Sequence, residues 1–149
     1  MYIVSACLLG KNCKYSGGNN YNEEVKLLCE KEGYFPICPE ELGGLPTPRE
    51  PAEIMQGAGE AVLSGDARVL TKSGQDVTDA FLKGAKMALE LAAGKSEMAI
   101  LKARSPSCGL GKIYDGTFSG NLKDGNGVTT ALFQQNGIRV ITEQEIALV

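Results

Sequence analysis

The sequence contains no histidine in its 149 residues. This absence excludes Ser-His-Asp and Cys-His nucleophile systems, histidine general bases and zinc sites that use an imidazole ligand. Tryptophan is also missing, and aromatic residues make up only 6% of the chain. Any proton transfer that this protein catalyses must therefore use carboxylates, hydroxyls or lysines.

Long hydrophobic runs are missing too, since no segment approaches the roughly 20 apolar residues of a membrane helix. The start, MYIVSACLLG, ends like a lipoprotein signal but has neither the basic n-region nor the full h-region before Cys7. We therefore expect a cytoplasmic protein with no membrane contact. A net charge of -3 gives no general attraction to polyanions, so we expect no binding to DNA.

The composition is that of a globular protein, with 43% hydrophobic and 22% charged residues and no repeat or low-complexity tract. A chain of this length buries a core without disulfides or metal staples. We therefore predict one domain over residues 1–149.

Strand-like and helix-like patterns alternate along the chain. Strands are predicted over 2–6, 34–38, 98–102 and 138–142, and helices over 19–33, 77–94 and 128–137, with a short helix capped by Thr142 and Glu145 at the end. This alternation predicts an α/β fold with a mostly parallel, Rossmann-like sheet and helices on both faces. Residues 60–71 alternate about Ser-Gly-Asp and predict an added β-hairpin, and the Pro- and Gly-rich residues 39–54 predict an ordered irregular segment.

Five cysteines without a secretion signal favour reduced thiols or metal ligands over disulfides. Cys7 follows the first predicted strand, Cys38 ends the second, and Cys108 follows the third by a short loop. The carboxyl ends of parallel strands share one edge, so these thiols are expected to converge. Cys13 lies in the same loop as Cys7 and is a candidate fourth member, whereas Cys29 falls on the apolar stripe of a helix and is expected in the core.

Converging thiolates without histidine suit a soft metal centre, either a four-iron cluster held at three corners or zinc. Three ligands leave one iron open to a substrate atom, whereas Cys13 as a fourth ligand would close the site and make it structural or electron-transferring. Spacing alone leaves both alternatives open. Pro39 and Gly109 directly follow Cys38 and Cys108, where turn backbone amides can hydrogen-bond sulfur.

Three segments carry a resemblance to a known family: CLLGKNCKYSGG, CPEELGGLPTPREPAEI and LKARSPSCGLGKIYDGTFSG, in this order. On these motifs the sequence resembles, over nearly its whole length, a bacterial family of thiouracil desulfidases, also described as 4-thiouridine desulfidases. The resemblance implies a [4Fe-4S] cluster held by Cys7, Cys38 and Cys108, with the fourth iron binding the sulfur of a thiolated pyrimidine. A switch of ligand between Cys7 and Cys13 stays open. Many relatives carry a second domain that is missing here. The choice among a free base, a nucleoside and tRNA as the substrate therefore stays open.

Hydrolysis of a carbon–sulfur double bond requires a polarised sulfur, a delivered water and a moved proton. Four side chains are candidates for the proton transfer: Glu40, Glu41, Ser105 and Ser107. Glu40 and Ser107 rank first because they stand closest in sequence to the expected ligands. An acidic helix start is the alternative explanation for the two glutamates.

Four residues of the motifs are candidates for substrate binding. The fork of Arg49 suits a carbonyl, a phosphate or a structural carboxylate such as Glu53. Tyr15 is placed to stack on a pyrimidine, and Ser16 and Gly17 offer backbone contacts. The alternative for Tyr15 is packing.

Residues 115–127 are rich in glycine and are interpreted as a gate for substrate entry. Neither CGLGK nor SGNLKDGNG has the full spacing of a P-loop, which argues against nucleotide hydrolysis. The first hypothesis is an iron-sulfur enzyme that converts a thiolated pyrimidine to the oxo base and sulfide without net redox change. The alternatives are a non-enzymatic zinc or iron-sulfur binding module and a redox enzyme with a reversible cysteine pair, which the absence of a Cys-x-x-Cys motif disfavours.

Overall fold

The computed structural model describes residues 1–148. The strands are β1 Tyr2–Ser5, β2 Tyr34–Ile37, β3 Ala52–Met55, β4 Arg68–Thr71, β5 Met98–Leu101, β6 Lys112–Tyr114, β7 Leu122–Asp124 and β8 Arg139–Thr142. The α-helices are α1 Glu23–Glu32, α2 Pro39–Leu42, α3 Gly59–Ser64, α4 Thr78–Ala92 and α5 Val128–Gln135, and Ala6–Leu9 and Glu143–Leu148 are 3-10 helices. Over this range, every helix is too short or too polar to cross a membrane.

The central sheet has four strands in the order β2-β1-β5-β8, and every pair is parallel. Ile3 of β1 pairs with Phe35 on one side and Ala99 on the other, which makes β1 an inner strand. The predicted α/β fold with a mostly parallel sheet is confirmed. The carboxyl ends of β1, β2 and β5 lie at one edge, where the Cys7, Cys38 and Cys108 loops begin.

The core lies on both faces of this sheet because successive strand residues point to opposite sides. Ile3 packs with Ala88 of α4 and Phe133 of α5 on one face. Val4 packs on the other face with Val25 and Cys29 of α1. Helices therefore cover both faces as predicted, and Cys29 is fully buried in the core.

The predicted antiparallel addition to the parallel sheet is confirmed, in the β3–β4 and β6–β7 pairs, but the placement of a hairpin over residues 60–71 is wrong. Residues 59–64 form α3, which ends at Gly65 with φ +88°, and only the end of the segment is a strand. That strand, β4, pairs antiparallel with β3, which lies in the segment predicted to be irregular. The Gly65 amide donates to the carbonyls of Ala61 and Val62 and so caps the helix. A glycine that signals a hairpin turn equally well signals a helix end.

The segment interpreted as a gate is partly regular, since β7 pairs antiparallel with β6. Residues 115–121, which we call the strap, connect these two strands. Residues Glu143–Leu148 form a short helix as predicted, but the predicted capping box is wrong, since the Thr142 hydroxyl donates to Glu145 at 2.7 Å and accepts from the Gln144 amide at 3.2 Å.

Helix α2, which follows Cys38 directly, packs backbone to backbone against α4. A Cβ atom on Gly43 would stand 2.0 Å from the Ala80 carbonyl oxygen, and one on Gly84 would stand 1.9 Å from the Pro39 oxygen. Only glycine permits this approach. This contact fixes the position of the first turn of α2 at the carboxyl end of the sheet.

Candidate active site and metal centre

A cavity of about 450 Å³ opens at the carboxyl ends of β1, β2 and β5. Its walls include four of the five cysteines, namely Cys7, Cys13, Cys38 and Cys108. All five cysteines are free thiols. The three thiols predicted to converge therefore reach one cavity, and the candidate fourth, Cys13, reaches it too. A donor set of sulfur without imidazole fits a soft metal or an iron-sulfur cluster.

Cys38 Sγ donates to the Cys13 carbonyl oxygen at 3.8 Å, and the Cys13 thiol lies beside those of Cys7 and Cys38. Contact with the Cys13 thiol lowers the pKa of Cys38, and together with an Asn20 side chain that donates to Cys7 Sγ at 3.4 Å it lowers the pKa of Cys7 to about 7. The same thiol contacts, followed by burial, raise the pKa of Cys13. Cys7 and Cys38 thus ionise more readily than Cys13, whose pKa is raised.

Cys108 is the most enclosed of the converging thiols. Burial raises its pKa to about 12, although the Ser5 and Ser107 hydroxyls partly offset this effect. Its amide donates to Ser105 Oγ at 2.7 Å, and its carbonyl accepts from the Thr130 hydroxyl at 2.8 Å. The loop thus holds the sulfur in place as a neutral thiol, which a metal would have to deprotonate.

Glu40 stands in the first turn of α2 and lines the cavity. Arg49 Nε donates to Glu40 Oε1 at 3.1 Å, and the two side chains are only 7% and 19% exposed. Burial raises the pKa of Glu40, and the Arg49 charge opposes that rise. The site therefore holds a mostly buried carboxyl group beside the thiols, oriented by a guanidinium.

Glu41 does not line the cavity. Thr47 donates to Glu41 Oε2 at 2.6 Å, and Lys11 pairs with Oε1 at 3.3 Å. Burial tends to raise the pKa of Glu41, but these hydrogen bonds outweigh it and hold the pKa below its usual value. One carboxylate oxygen of Glu41 lies within 4.8 Å of the Cys13 and Cys38 sulfurs.

The two candidate serines differ in position. Ser105 lines the cavity, and its hydroxyl accepts from the Cys108 amide. Ser107 is 2% exposed, and its hydroxyl shares a 3.0 Å hydrogen bond with Thr129 behind the cavity wall. The Ser105 hydroxyl therefore faces the cavity and the Ser107 hydroxyl does not, although the sequence favoured Ser107 as the group for proton transfer.

The candidates for substrate binding divide in the same way. Tyr15 lies at the cavity mouth and is 46% exposed. Arg49 lines the cavity, but its carboxylate partner is Glu40 rather than Glu53, and its Nη2 donates to the Cys13 carbonyl at 2.8 Å. Ser16 and Gly17 belong to a turn that the structure does not place on the cavity wall within residues 1–148.

Several lining residues escaped the sequence analysis. They lie on or next to strands, on the strap, or in the loop before α1: Ser5, Glu53, Lys72, Lys102 and Tyr114, then Phe118, then Asn20. Ser5 and Lys102 were detectable in principle, because each ends or directly follows a strand whose carboxyl end forms the predicted crevice. Glu53 and Phe118 gave no comparable signal, since the β3–β4 pair and the strap fold over the cavity from distant segments.

The charged side chains of the wall are mainly cationic: Lys14, Arg49, Lys72 and Lys102 against Glu40 and Glu53. Lys102 Nζ pairs with Glu143 at 3.0 Å, and its charge also helps to lower the pKa of Cys7. A positive wall stabilises thiolates and a sulfide leaving group. The cavity is thus suited to chemistry in which negative charge collects on sulfur.

Comparisons with known proteins agree with this site. A solved structure of the [4Fe-4S]-dependent thiouracil desulfidase TudS (DUF523Vcz) superposes with a TM-score of 0.84 at 43% identity, over 99% of this chain and 95% of that one. The uncharacterized protein YbbK of Bacillus subtilis (strain 168) is 49% identical over 147 residues, which are 98% of this chain and 97% of YbbK. The family model of 2-thiouracil desulfurase matches residues 2–145. This chain, with its thiol-lined cavity, therefore belongs to the 2-thiouracil desulfurase family.

Proposed function

We propose that this protein is an iron-sulfur enzyme that converts a thiolated pyrimidine, of the thiouracil or 4-thiouridine type, to the oxo base and sulfide. The observation that carries the proposal is the convergence of Cys7, Cys38 and Cys108 on one cavity in a chain of this family. A solved relative at 43% identity is described as a [4Fe-4S]-dependent thiouracil desulfidase, which supports the same cofactor here. Reduced thiols and the composition favour the cytoplasm as the place of action.

Three thiolates from Cys7, Cys38 and Cys108 would hold the [4Fe-4S] cluster. When bound, such a cluster with one iron free of protein ligands supplies a Lewis acid for the thiocarbonyl sulfur. Cys7 and Cys38 ionise most readily because the Cys13 thiol lies beside them, and Cys108 supplies the third ligand from the loop after β5. Cys13 is best explained as a hydrogen-bond donor to the ligand sulfurs rather than as a ligand.

The chain's own residues supply the acid-base chemistry. Glu40 takes a proton from the water whose oxygen bonds to the ring carbon, and Arg49 keeps the carboxylate in position. Ser105 lines the same cavity, beside Cys108, and relays a proton toward the departing sulfur. The electron pair of the broken carbon–sulfur bond leaves with the sulfur as sulfide, and one water is consumed. The reaction therefore needs no external oxidant or reductant.

The cavity favours a base or a nucleoside over a large polynucleotide as the substrate. Its volume of about 450 Å³ must hold both the cluster and the reacting ring. Tyr15 stands at its mouth, where an aromatic ring can stack on the base. The contacts of Arg49, Ser16 and Gly17 with a substrate stay a prediction, as does action on tRNA.

The test is anaerobic reconstitution followed by iron and sulfide analysis and by the near-ultraviolet absorbance of 2-thiouracil, 4-thiouracil and 4-thiouridine. We expect about four irons per chain and loss of thiocarbonyl absorbance. Cys29→Ala is the matched control, because Cys29 is a buried core thiol that does not line the cavity. Zinc or no metal in the protein, with all three substrates unchanged, would contradict the proposal.

A zinc-binding module is the second candidate. The Cys13 and Cys38 sulfurs and a Glu41 oxygen lie within 4.8 Å of one another, a spacing that favours one small ion over a cube of four irons. Stoichiometric zinc that survives anaerobic reconstitution with iron and sulfide would support this candidate. Loss of the zinc on iron-sulfur assembly would exclude it.

A further inference from the structure

Glu53 is a carboxylate on the cavity wall that the proposed reaction does not use. It lies on β3, is only 7% exposed and reaches the cavity beside the strap. None of the ion pairs among the described residues includes it. A buried carboxylate needs compensating hydrogen bonds, so the donors around Glu53 indicate its role.

One oxygen of Glu53 holds the strap. Oε1 accepts from the Gly116 amide at 2.9 Å and from the Phe118 amide at 3.1 Å. Phe118 has φ +55°, a conformation that bulky residues rarely adopt, and it lines the cavity. The two hydrogen bonds therefore keep the strap in a strained conformation, which directs Phe118 toward the cavity.

The other carboxylate oxygen of Glu53, Oε2, has no hydrogen-bond partner among the described residues. The hydrogen bonds that Glu53 makes within the part of the chain that the structure describes all use Oε1. In that same part, no fully buried side-chain oxygen lacks a partner. Oε2 is therefore not sealed inside the protein, and it is accessible from the cavity that Glu53 lines. An ionised carboxylate only accepts hydrogen bonds, so its natural partner is a donor on the bound molecule.

We propose that Glu53 Oε2 accepts a hydrogen bond from the ring N3–H of the bound pyrimidine, while Oε1 keeps Phe118 against the ring. This inference rests on the proposed function, since it takes the ligand to be a pyrimidine. N3 lies between C2 and C4, so one carboxylate serves bases that carry sulfur at either carbon. A site that receives a substrate N–H strongly rejects an analogue without it, because the buried acceptor then stays unpaired.

The substitution Glu53→Gln separates the two roles. Glutamine keeps an oxygen that can accept from Gly116 and Phe118, but its amide group then presents a donor to the cavity instead of an acceptor. We expect the iron content and melting temperature of Glu53→Gln to equal those of the wild type. Glu53→Ala should lose the strap contacts as well, and its melting temperature should fall. Glu60→Gln is the matched control, since Glu60 is an exposed carboxylate on α3.

The measurement is calorimetric titration of the reconstituted, anaerobic proteins with uracil and 3-methyluracil, which give affinities without turnover. The wild type should bind uracil at least 10-fold more tightly than 3-methyluracil. Glu53→Gln should lose roughly 10- to 100-fold in uracil affinity, along with most of this discrimination. Unchanged uracil affinity in Glu53→Gln, equal binding of both bases by the wild type, or no binding at all would overturn the proposal.

Turnover of 2-thiouracil, followed on the same samples, separates this inference from the proposed function. A wild type that binds uracil in a Glu53-dependent way but leaves 2-thiouracil unchanged would refute the desulfidase alone. A wild type that consumes 2-thiouracil, with the same KM in Glu53→Gln, would refute the role of Glu53 alone.

Discussion

The role of Cys13 distinguishes two kinds of metal centre. A cluster without Cys13 as a ligand keeps one iron open for catalysis, whereas a centre with Cys13 as the fourth ligand is closed and structural. The Cys13 thiol lies beside those of Cys7 and Cys38 and lowers their pKa values, so we expect Cys13→Ala to keep about four irons per chain, whereas Cys7→Ala loses the cluster. Without this thiol, the pKa of Cys7 should rise above its present value of about 7, and assembly at neutral pH should slow. Iron and sulfide analysis after anaerobic reconstitution measures both effects.

Cys13→Ser is the control for this prediction, because the serine hydroxyl restores a donor and should restore the assembly rate. Loss of iron in Cys13→Ala would instead show that four thiolates hold the metal. The binding-module hypothesis would then replace the enzyme.

Glu40 should be the carboxyl group on which turnover depends. Glu40→Gln keeps an oxygen for Arg49 but removes the ionisable group, so we expect kcat to fall roughly 100- to 10,000-fold with unchanged iron content. Glu41→Gln should cost far less, since Glu41 points to Thr47 and Lys11 outside the cavity. Equal losses in the two variants, measured by thiouracil absorbance, would contradict the role of Glu40.

The sequence predicted which cysteines reach the cavity more accurately than which serine hydroxyl faces it. The end of a parallel strand determines where Cys7 and Cys38 lie, and strand periodicity is visible in the sequence. Whether Ser105 or Ser107 faces the cavity depends on the packing of their loop against α5, where Ser107 meets Thr129. That choice depends on tertiary contacts that no local pattern encodes.

At the level of elements, the contact between α2 and α4 should control the site from a distance. Gly84→Ala would gain about 1 kcal/mol of helix propensity in isolation, but its Cβ would stand 1.9 Å from the Pro39 oxygen. We expect a net loss of about 1–3 kcal/mol in the free energy of unfolding. A displaced α2 also carries Cys38 and Glu40, so iron content and kcat should fall together.

Lys83→Ala, an exposed substitution on the same helix, is the control for this variant. It should leave stability and iron content unchanged. Denaturant unfolding together with iron analysis gives both quantities. A Gly84→Ala protein that is more stable than the wild type would show that the two helices separate without cost.

The start of α4 should give a pH-dependent contribution to stability. Asp76 Oδ1 accepts from the Thr78 amide at 2.9 Å, and the Thr78 hydrogen bonds hold the pKa of Asp76 below its usual value. A depressed pKa means that this contribution is complete above the unfolded pKa of about 3.9 and is lost as the pH falls through the folded pKa. Asp76→Ala should therefore cost about 0.5–1 kcal/mol at pH 7 and much less at pH 3.

Urea unfolding of the reduced, metal-free protein at the two pH values measures this difference. Asp66→Ala is a useful comparison, because Asp66 accepts from Ser64 after a helix end rather than before a helix start. An Asp76→Ala penalty that is the same at pH 7 and pH 3 would show that the charge contributes nothing.

The segment between β3 and β4 shows why some elements could not be predicted. Val62 is buried on α3 and Val69 on β4, so both halves of residues 60–71 carry apolar residues that face the core. Short apolar runs fit a strand or a helix equally well. The antiparallel partner of β4 comes from residues 52–55, whose pairing is non-local. The main sheet could be predicted because its inner strands, β1 and β5, are nearly continuous buried apolar runs and its strands alternate with helices along the chain.

At the scale of the whole molecule, a metal centre would join segments that are far apart in sequence. Cys7, Cys38 and Cys108 follow three different strands, and two separate antiparallel pairs contribute to the same cavity, β3–β4 through β3 and β6–β7 through the strap. A cluster held by the three thiolates would act as a cross-link across two long loops. Cross-links of this kind typically stabilise a protein by about 2–4 kcal/mol, in part by restricting the unfolded chain.

Removal of the metal should therefore lower the melting temperature. A loss of about 3 kcal/mol corresponds to roughly 6–12 °C for a chain of this size. Anaerobic calorimetry before and after chelation measures the shift, and Cys108→Ala is the matched control because it should hold no complete cluster and show no shift. If the chelated wild type melts at the same temperature as the loaded protein, the thiols are already fixed by the fold alone. The hydrogen bonds of the Cys108 loop and the α2–α4 contact would then account for the whole preorganisation of the site.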